Sequence, residues 1–328
     1  MRPVPQALPK LALAILLLAG APARSQAADA PKVVASIGPV GSLAAAVMRG
    51  VGTPLVLLPA GASPHSYALR PSEARALASA DLVLWVGEAL ETFLEEPLET
   101  LADPARVVEL IEADGLTLHP TRAGGIWGAE DDGYGHGQGH GHGGGHAATG
   151  GDGHDGVDPH LWLDPRNAAA VVDRIADALA RRDPGRADTY RANAEAARAG
   201  IAALDRELAE ALAPLRSRPY VVFHDAYQYL ELRYGLHPLG AVSIGPEHGP
   251  GAKRLARLRD EIRARGAVCA FREPQFAPRV LDSLSADTGI RIGVLDPLGT
   301  GTGASPDDYP RLMRSLAAGL VACLAPAG

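Results

Sequence analysis

The sequence predicts an α/β protein with two similar halves, and three observations lead to this fold class. The chain has 328 residues, which is more than one compact domain usually contains. Only 5% of the residues are aromatic, and this favours helices packed on sheets over an aromatic-rich all-β fold. Short aliphatic runs alternate with helical segments, which is the pattern of parallel sheets covered by helices on both faces.

Eight aliphatic runs are predicted to be strands, four on each side of a long interruption. They lie at residues 33–36, 55–58, 82–86, 107–111, 220–223, 238–243, 267–271 and 292–295. Four runs in each half indicate two roughly four-stranded, mainly parallel sheets rather than one continuous sheet. We therefore predict an N-terminal α/β domain at 28–187 and a C-terminal α/β domain at 216–328.

The segment between these domains, residues 188–215, is predicted to be one long helix. Its apolar residues recur at steps of three and four and form a single stripe: Ile201, Leu204, Leu208, Leu212 and Leu215. At 1.5 Å per residue the helix would extend roughly 38 Å and would join the domains rigidly. A coiled-coil dimer helix is the alternative, and it is less favoured because the heptad does not persist. We expect a monomer.

The first 27 residues have the pattern of a secretory signal peptide. Arg2 and Lys10 flank an apolar run at 11–21, and small residues lead to a cleavage site after Ala27. A membrane anchor is the alternative, but a transmembrane helix needs about 20 apolar residues. Because no cysteine follows the apolar run, we expect no lipid attachment. We predict a free periplasmic protein.

The charge and the two cysteines limit the partners of the mature chain. Removing the signal peptide raises the acidic excess from seven to ten, which gives no reason to expect nucleic acid or an anionic membrane surface as a partner. Cys269 and Cys323 are the only cysteines, and in an oxidising compartment we expect them to form a disulfide. No CxxC spacing supports a metal site at either of them.

Residues 120–157 form a glycine-dominated insertion that is predicted to be a disordered loop of the first domain. It contains five of the eleven histidines of the chain: His136, His140, His142, His146 and His154. A solvated linker with incidental histidines is the alternative. The enrichment favours weak, multi-site metal binding by this loop.

Three histidines outside the insertion occupy positions typical of ligand sites. His65 lies in the loop after the strand at 55–58, and His160 lies at the start of a helix. His224 directly follows the strand at 220–223, and Asp296 follows the strand at 292–295. Ligands of open α/β sheets bind beyond the carboxyl ends of strands, so these side chains are predicted to meet in a cleft between the domains.

Three imidazoles and one oxygen ligand are a tetrahedral set well suited to Zn²⁺. Metal-bound histidines usually donate their second ring N–H to a carboxylate or a carbonyl. Asp164 and Asp225 are candidates for that task, and helix N-capping is an equally weighted alternative for both.

Four segments carry a resemblance to a known family. They are GASPHSYALRPS at 61–72, DPHLWLDP at 158–165, FHDAY at 223–227 and LDPLGT at 295–300. In this order they resemble the motifs of ABC-type zinc solute-binding proteins (ZnuA-like), a class with two α/β domains joined by a rigid helix. The resemblance covers essentially the whole mature chain, including the cysteine pair and the histidine-rich insertion.

The resemblance implies that His65, His160 and His224 are the three histidine ligands of one Zn²⁺ ion. Some zinc-binding members have a glutamate before the first of them, but this chain has Pro64 there. The fourth ligand would then be Asp296, which matches a carboxylate used in several relatives, or water. The resemblance also implies partners: the membrane permease and the ATPase of a zinc importer.

Other functions fit parts of this pattern. Three histidines with an open position also describe a catalytic zinc site, for which Glu273 would be the candidate general base, although no HExxH motif is present. A periplasmic zinc buffer and a receptor for manganese or another divalent metal are the further alternatives. Retention of all three histidines favours zinc over manganese.

Overall fold

The computed structural model of the chain describes residues 29–103, 106–122, 156–243, 250–277, 279–301 and 303–326. The predicted signal peptide and most of the predicted loop lie outside these ranges, as do all five loop histidines: His136, His140, His142, His146 and His154. Within the described ranges no helix is long and apolar enough to cross a membrane.

The first sheet contains four parallel strands in the order β2-β1-β3-β4. The strands are β1 (Val33–Ala35), β2 (Leu55–Val56), β3 (Leu82–Trp85) and β4 (Val107–Glu109). Its helices are α1 (Gly38–Val47), α2 (Pro71–Ala78), α3 (Glu95–Leu101) and α4 (Pro165–Arg182). All four predicted strands of this half are confirmed.

Alternation along the strands of the first sheet sends side chains to two separate cores. One core contains Val34, Val83 and Trp85 together with Leu77 of α2 and Leu98 of α3. The neighbouring strand residues point the other way, towards α1 and α4. Because both faces of the inner strands β1 and β3 are covered, these two strands are buried and apolar throughout, and they stood out in the sequence as continuous aliphatic runs.

The second sheet repeats this plan, with four parallel strands in the order β6-β5-β7-β8. The strands are β5 (Tyr220–Val222), β6 (Pro238–Ala241), β7 (Cys269–Arg272) and β8 (Arg291–Val294). Its helices are α6 (Gln228–Tyr234), α7 (Ala252–Arg265), α8 (Arg279–Thr288) and α9 (Asp308–Leu324). The four strands predicted for the second half are confirmed as well.

A long helix, α5 (Ala187–Leu212), connects the two halves and has 26 residues. The predicted long connecting helix is thus present, and residues 213–215, which the prediction included in it, form a 3-10 turn that contains Pro214. All five residues of the predicted apolar stripe are buried: Ile201, Leu204, Leu208, Leu212 and Leu215. They pack within the chain, so the stripe needs no partner helix to cover it.

One hydrophobic cluster runs through both halves of the molecule. It includes Leu84 from the first sheet, Leu208 from α5, Phe271 from the second sheet and Leu320 from α9. The described residues from Pro31 onwards belong to one compact unit. The division into domains at 28–187 and 216–328 therefore stays a prediction, while the two similar sheets and the connecting helix are observed.

The predicted disulfide between Cys269 and Cys323 is present. It joins β7 to α9, and the two Cα atoms are 6.1 Å apart. The bond therefore fastens the C-terminal helix to an inner strand of the second sheet.

The two ends of the insertion lie side by side. Pro120 pairs with Val157 in an antiparallel bridge, and the Thr121 amide donates to the Gly156 carbonyl at 2.7 Å. The Asp158 amide donates to the His119 carbonyl at 2.8 Å. The chain thus leaves and re-enters the fold at one place, immediately before His160.

Glu91 is fully buried beside the carboxyl ends of β1 and β3. Its carboxylate accepts hydrogen bonds from the Ser36 hydroxyl, the Val86 amide at 3.1 Å and the Gly87 amide at 3.0 Å. Burial raises the pKa of Glu91 to about 7, against the opposing effect of these three donors.

Candidate metal centre

His65, His160 and His224 reach one place from three separate loops. His65 lies between β2 and α2, and His160 precedes a 3-10 turn (Leu161–Leu163) that leads into α4. His224 follows β5 by two residues. Pro165 and the Asp164 cap fix the start of α4, and this holds the turn after His160 in place.

The three rings meet closely. One ring nitrogen from each histidine lies within 4.8 Å of the other two, and the ring centroids are 5.4 to 5.9 Å apart. His160 and His224 are buried, with 6% and 5% of their surface exposed, whereas His65 is half-buried. The rings line a small cavity with mostly apolar walls, formed by Pro64, Trp162, Phe276, Pro297 and Leu298.

The orientation of His160 is fixed by Asp158. The Nδ1 atom of His160 lies 2.8 Å from Asp158 Oδ1, and the His160 amide donates to the same oxygen at 3.0 Å. A carboxylate accepts hydrogen bonds, so Nδ1 carries the proton and Nε2 keeps a free lone pair. His160 is therefore prepared to bind a cation through Nε2.

Glu273 fixes the orientation of His224 in the same way. The Nδ1 atom of His224 lies 2.7 Å from Glu273 Oε1. The sheet register explains this pairing, because Val222 of β5 is opposite Phe271 of β7, and two residues further along His224 is beside Glu273. Burial lowers the pKa of His224, but the charge and hydrogen bond of Glu273 outweigh burial and raise it.

His65 has a different environment. Burial, together with the neighbouring His160 and His224, lowers the pKa of His65 to about 2. Its Nε2 atom is buried, as is that of His224, and neither has a hydrogen-bond partner among the described residues. Buried nitrogens without partners are unfavourable in a protein interior, and a bound cation would satisfy them.

Neither carboxylate predicted to orient the histidines does so. Asp164 caps α4 by accepting from the Arg166 amide at 2.8 Å, which confirms the capping alternative. Asp225 forms an ion pair with Arg122, and α6 begins at Gln228, so Tyr227 rather than Asp225 occupies its N-cap position. The prediction was wrong because both aspartates neighbour the histidine segments in sequence but point towards arginines in the fold.

Asp296 lies at the edge of the same site with its oxygens already engaged. Oδ1 accepts from Gln275 Nε2 at 2.8 Å and from the Leu298 amide at 3.1 Å, while Oδ2 accepts from the Thr300 amide. Within the described part of the chain, the group of ligand atoms within 4.8 Å of one another contains the three histidines and no carboxylate. The assignment of Asp296 as fourth ligand therefore stays a prediction.

Two residues at the site have roles that the sequence did not reveal. Asp158 had no predicted role, and Glu273 had been considered only as the base of an enzyme. Asp158 could have been found from its position two residues before His160. Glu273 required the register between β5 and β7, which the sequence alone does not provide.

The fold and the site together define a metal-binding protein with two α/β halves. Two parallel α/β sheets and a long connecting helix enclose a buried cluster of three histidines that can hold one metal ion. Carboxylates orient two of the three rings, as is usual for metal-binding histidines.

Comparison with known proteins identifies the family. The sequence profile of ZnuA, zinc-uptake complex component A periplasmic, matches residues 33–323. The high-affinity zinc uptake system protein ZnuA of Brucella abortus (strain 2308) is 43% identical over 326 residues, which cover 96% of this chain and 98% of that protein. The protein of the same name from Paracoccus denitrificans is 43% identical over 317 residues, or 95% and 96% of the two chains. The chain belongs to the ZnuA family.

A solved structure supports the fold. A crystal structure of ZnuA superposes with a TM-score of 0.72 at 23% sequence identity and covers 90% of this chain and 100% of its own. This likeness confirms the predicted architecture of two parallel sheets.

Proposed function

We propose that this protein is a periplasmic receptor that captures Zn²⁺ at His65, His160 and His224 and delivers it to the permease and ATPase of an ABC importer. The observation that carries this proposal is the convergence of three ring nitrogens within 4.8 Å in a largely buried cavity. Membership of the ZnuA family, and relatives named for high-affinity zinc uptake, support it.

The chemistry of the site favours zinc. Zn²⁺ binds readily to imidazole nitrogen in tetrahedral sites, whereas Mn²⁺ favours oxygen ligands. The neutral histidines contribute no charge. The carboxylates of Asp158 and Glu273, which contact the Nδ1 atoms of two of these rings, therefore balance the two positive charges of the ion. The low pKa of His65 keeps this ligand neutral and available to the metal near neutral pH.

The surroundings of Glu273 support a receptor over a zinc hydrolase. Zinc hydrolases of the HExxH type use a carboxylate as the general base that acts on the metal-bound water. Glu273, the candidate for that role, is buried, and its Oε1 atom lies 2.7 Å from His224 Nδ1. Its position fits a residue that orients a ligand.

Zinc titration tests the proposed site directly. The purified chain without residues 1–27 should bind one Zn²⁺ tightly in competition with a chromophoric chelator, and Mn²⁺ much more weakly. His224→Ala should abolish tight binding. His237→Ala is the matched control, because His237 is exposed and should leave the affinity unchanged. Equal zinc affinity in the His224 variant and the control would rule out the site.

Delivery needs a second assay. In vesicles that contain the importer, the zinc-loaded receptor should stimulate ATP hydrolysis and zinc uptake, and the His224→Ala variant should not.

Mass spectrometry of the secreted chain tests the proposed cleavage after Ala27 and the absence of a lipid. Its sedimentation tests the proposed monomer.

A further inference from the structure

Gln275 lies beside the histidine cluster, and its amide has a fixed orientation. It follows β7 in the turn after Glu273, and it lines the same cavity as the three histidines. Its side chain is 2.8 Å from Asp296 Oδ1. A carboxylate only accepts hydrogen bonds, so the amide nitrogen must face Asp296 and the amide oxygen must face away from it.

The oxygen of this amide is an acceptor without a donor. Gln275 Oε1 is buried and receives no hydrogen bond from the described residues. A buried amide oxygen in this state is unfavourable unless a donor or a cation reaches it. The other buried atoms without partners around this cavity include the Nε2 atoms of His65 and His224. An amide oxygen, two ring nitrogens and the Glu273 Oε2 atom therefore need partners in one small space.

Asp296 is poorly placed to supply the missing ligand. It already accepts hydrogen bonds from Gln275 and from the backbone amides of Leu298 and Thr300. Binding a metal directly would compete with these hydrogen bonds and would release the Gln275 amide.

We propose that Gln275 accepts a hydrogen bond from a water molecule that completes the coordination of the bound Zn²⁺, and that Asp296 acts by holding the Gln275 amide. This inference rests on the proposed zinc-receptor function and assigns the fourth position of its site. Zinc-bound water is a strong donor because the cation polarises its O–H bonds. Gln275 Oε1 is the acceptor turned towards it.

The neutral amide has a consequence for the chemistry of the site. A carboxylate at this place could take a proton from the zinc-bound water and help to generate a hydroxide nucleophile. An amide oxygen can accept a hydrogen bond but does not remove the proton. Gln275 thus positions the water without activating it, which suits a site that binds and releases an ion.

Spectroscopy tests the water directly. The protein is loaded with Co²⁺ in H₂¹⁷O, and electron–nuclear double resonance should show ¹⁷O coupled to the metal. Absence of this coupling would overturn the proposal, since the fourth ligand would then be a protein atom. If His224→Ala still bound zinc tightly, the receptor proposal itself would fail, so the two failures are distinguishable.

Four variants test the roles of Gln275 and Asp296, with zinc affinity measured by chelator competition. Gln275→Met keeps the length of the side chain and should weaken binding about tenfold, the lower end of the usual effect of such partners. Asp296→Ala should weaken binding to a similar degree because it frees the amide. Asp296→Asn retains an oxygen that can accept a hydrogen bond from Gln275, so the zinc affinity of this variant should fall by no more than about threefold. Asp282→Asn, at an exposed position on α8, is the control.

The double variant Gln275→Met/Asp296→Ala shows whether Asp296 acts through Gln275 or binds the metal itself. If Asp296 acts through Gln275, the double variant should bind zinc about as well as either single variant. The proposal is overturned if Asp296→Asn and Asp296→Ala are equally weak while Gln275→Met binds like the unmodified chain, because Asp296 would then be a ligand. Melting curves of the metal-free variants show whether each has folded.

Discussion

Replacing Glu273 by glutamine is the sharpest test of how the site is built. The amide oxygen of the variant can still accept a hydrogen bond from His224 Nδ1, so the ring keeps its orientation. What is lost is the negative charge 2.7 Å from that ring, in a place where both side chains are buried. That charge makes the imidazole a stronger base and offsets part of the charge of the ion.

The expected loss can be estimated from related changes. Removing a hydrogen-bonding partner of a metal ligand typically costs 10–100-fold in metal affinity. This corresponds to about 1.4–2.8 kcal/mol, since each factor of ten is about 1.4 kcal/mol. Competition with a chromophoric chelator at fixed pH measures the ratio of dissociation constants. The pKa of His224 should fall in the same variant, since Glu273 contributes most to raising it.

Asp164→Asn is the matched control for this experiment. It makes the same change from carboxylate to amide, and asparagine still caps a helix well. Because Asp164 contacts the Arg166 amide and Arg233 rather than a histidine, zinc affinity should remain unchanged. A folded Glu273→Gln variant with unchanged zinc affinity, or an equal loss in both variants, would refute the assignment of Glu273.

Three further predictions concern the rest of the molecule. Replacing Cys269 and Cys323 by alanine should lower the free energy of unfolding by about 4 kcal/mol in the chain-entropy model for their separation of 54 residues, and a change below about 1 kcal/mol in urea unfolding would contradict this. Between pH 4.5 and 7 the native state keeps a proton on Glu91 that the unfolded chain has released, so stability should fall as pH rises through this window. Glu91→Gln should remove up to about 3 kcal/mol of that fall, measured as the difference in unfolding free energy of the metal-free protein between pH 5 and pH 8; an unchanged pH dependence would show that Glu91 ionises normally. Deleting residues 133–153 should leave one tight zinc site, because the paired ends of the insertion remain; loss of tight binding in a zinc titration would assign the insertion a larger role.

The strands and the three histidines were predictable because each has a local signal. Short aliphatic runs marked all eight strands of the residues that the structure describes, most clearly the inner strands that are covered on both faces. Ligand residues collect at the carboxyl ends of parallel strands, so His224 could be placed from Tyr220–Val222 alone. His65 could likewise be placed in a loop at the end of a strand, because the aliphatic run at 55–58 precedes it.

The partner of His224 was not predictable in the same way. Glu273 lies 49 residues after His224, and only the pairing of β5 with β7 brings them together. Asp225 lies one residue from His224, yet Arg122 attracts it, from a segment 103 residues away. The partner of His224 is set by tertiary geometry, so proximity in sequence pointed to the wrong carboxylate there.

The interface between the two halves limits how zinc can be released. The indole Nε1 of Trp162 donates to the Pro297 carbonyl at 2.9 Å, and the Tyr309 hydroxyl donates to the Trp162 carbonyl at 2.9 Å. Trp162 is buried and belongs to the hydrophobic cluster that runs through both sheets. Opening the site by swinging the sheets apart would break these bonds and expose that cluster to water, which is unfavourable in proportion to the apolar area exposed. Because Trp162 is two residues from His160, a small shift of one ligand segment is a less costly route for the ion than wide hinge opening.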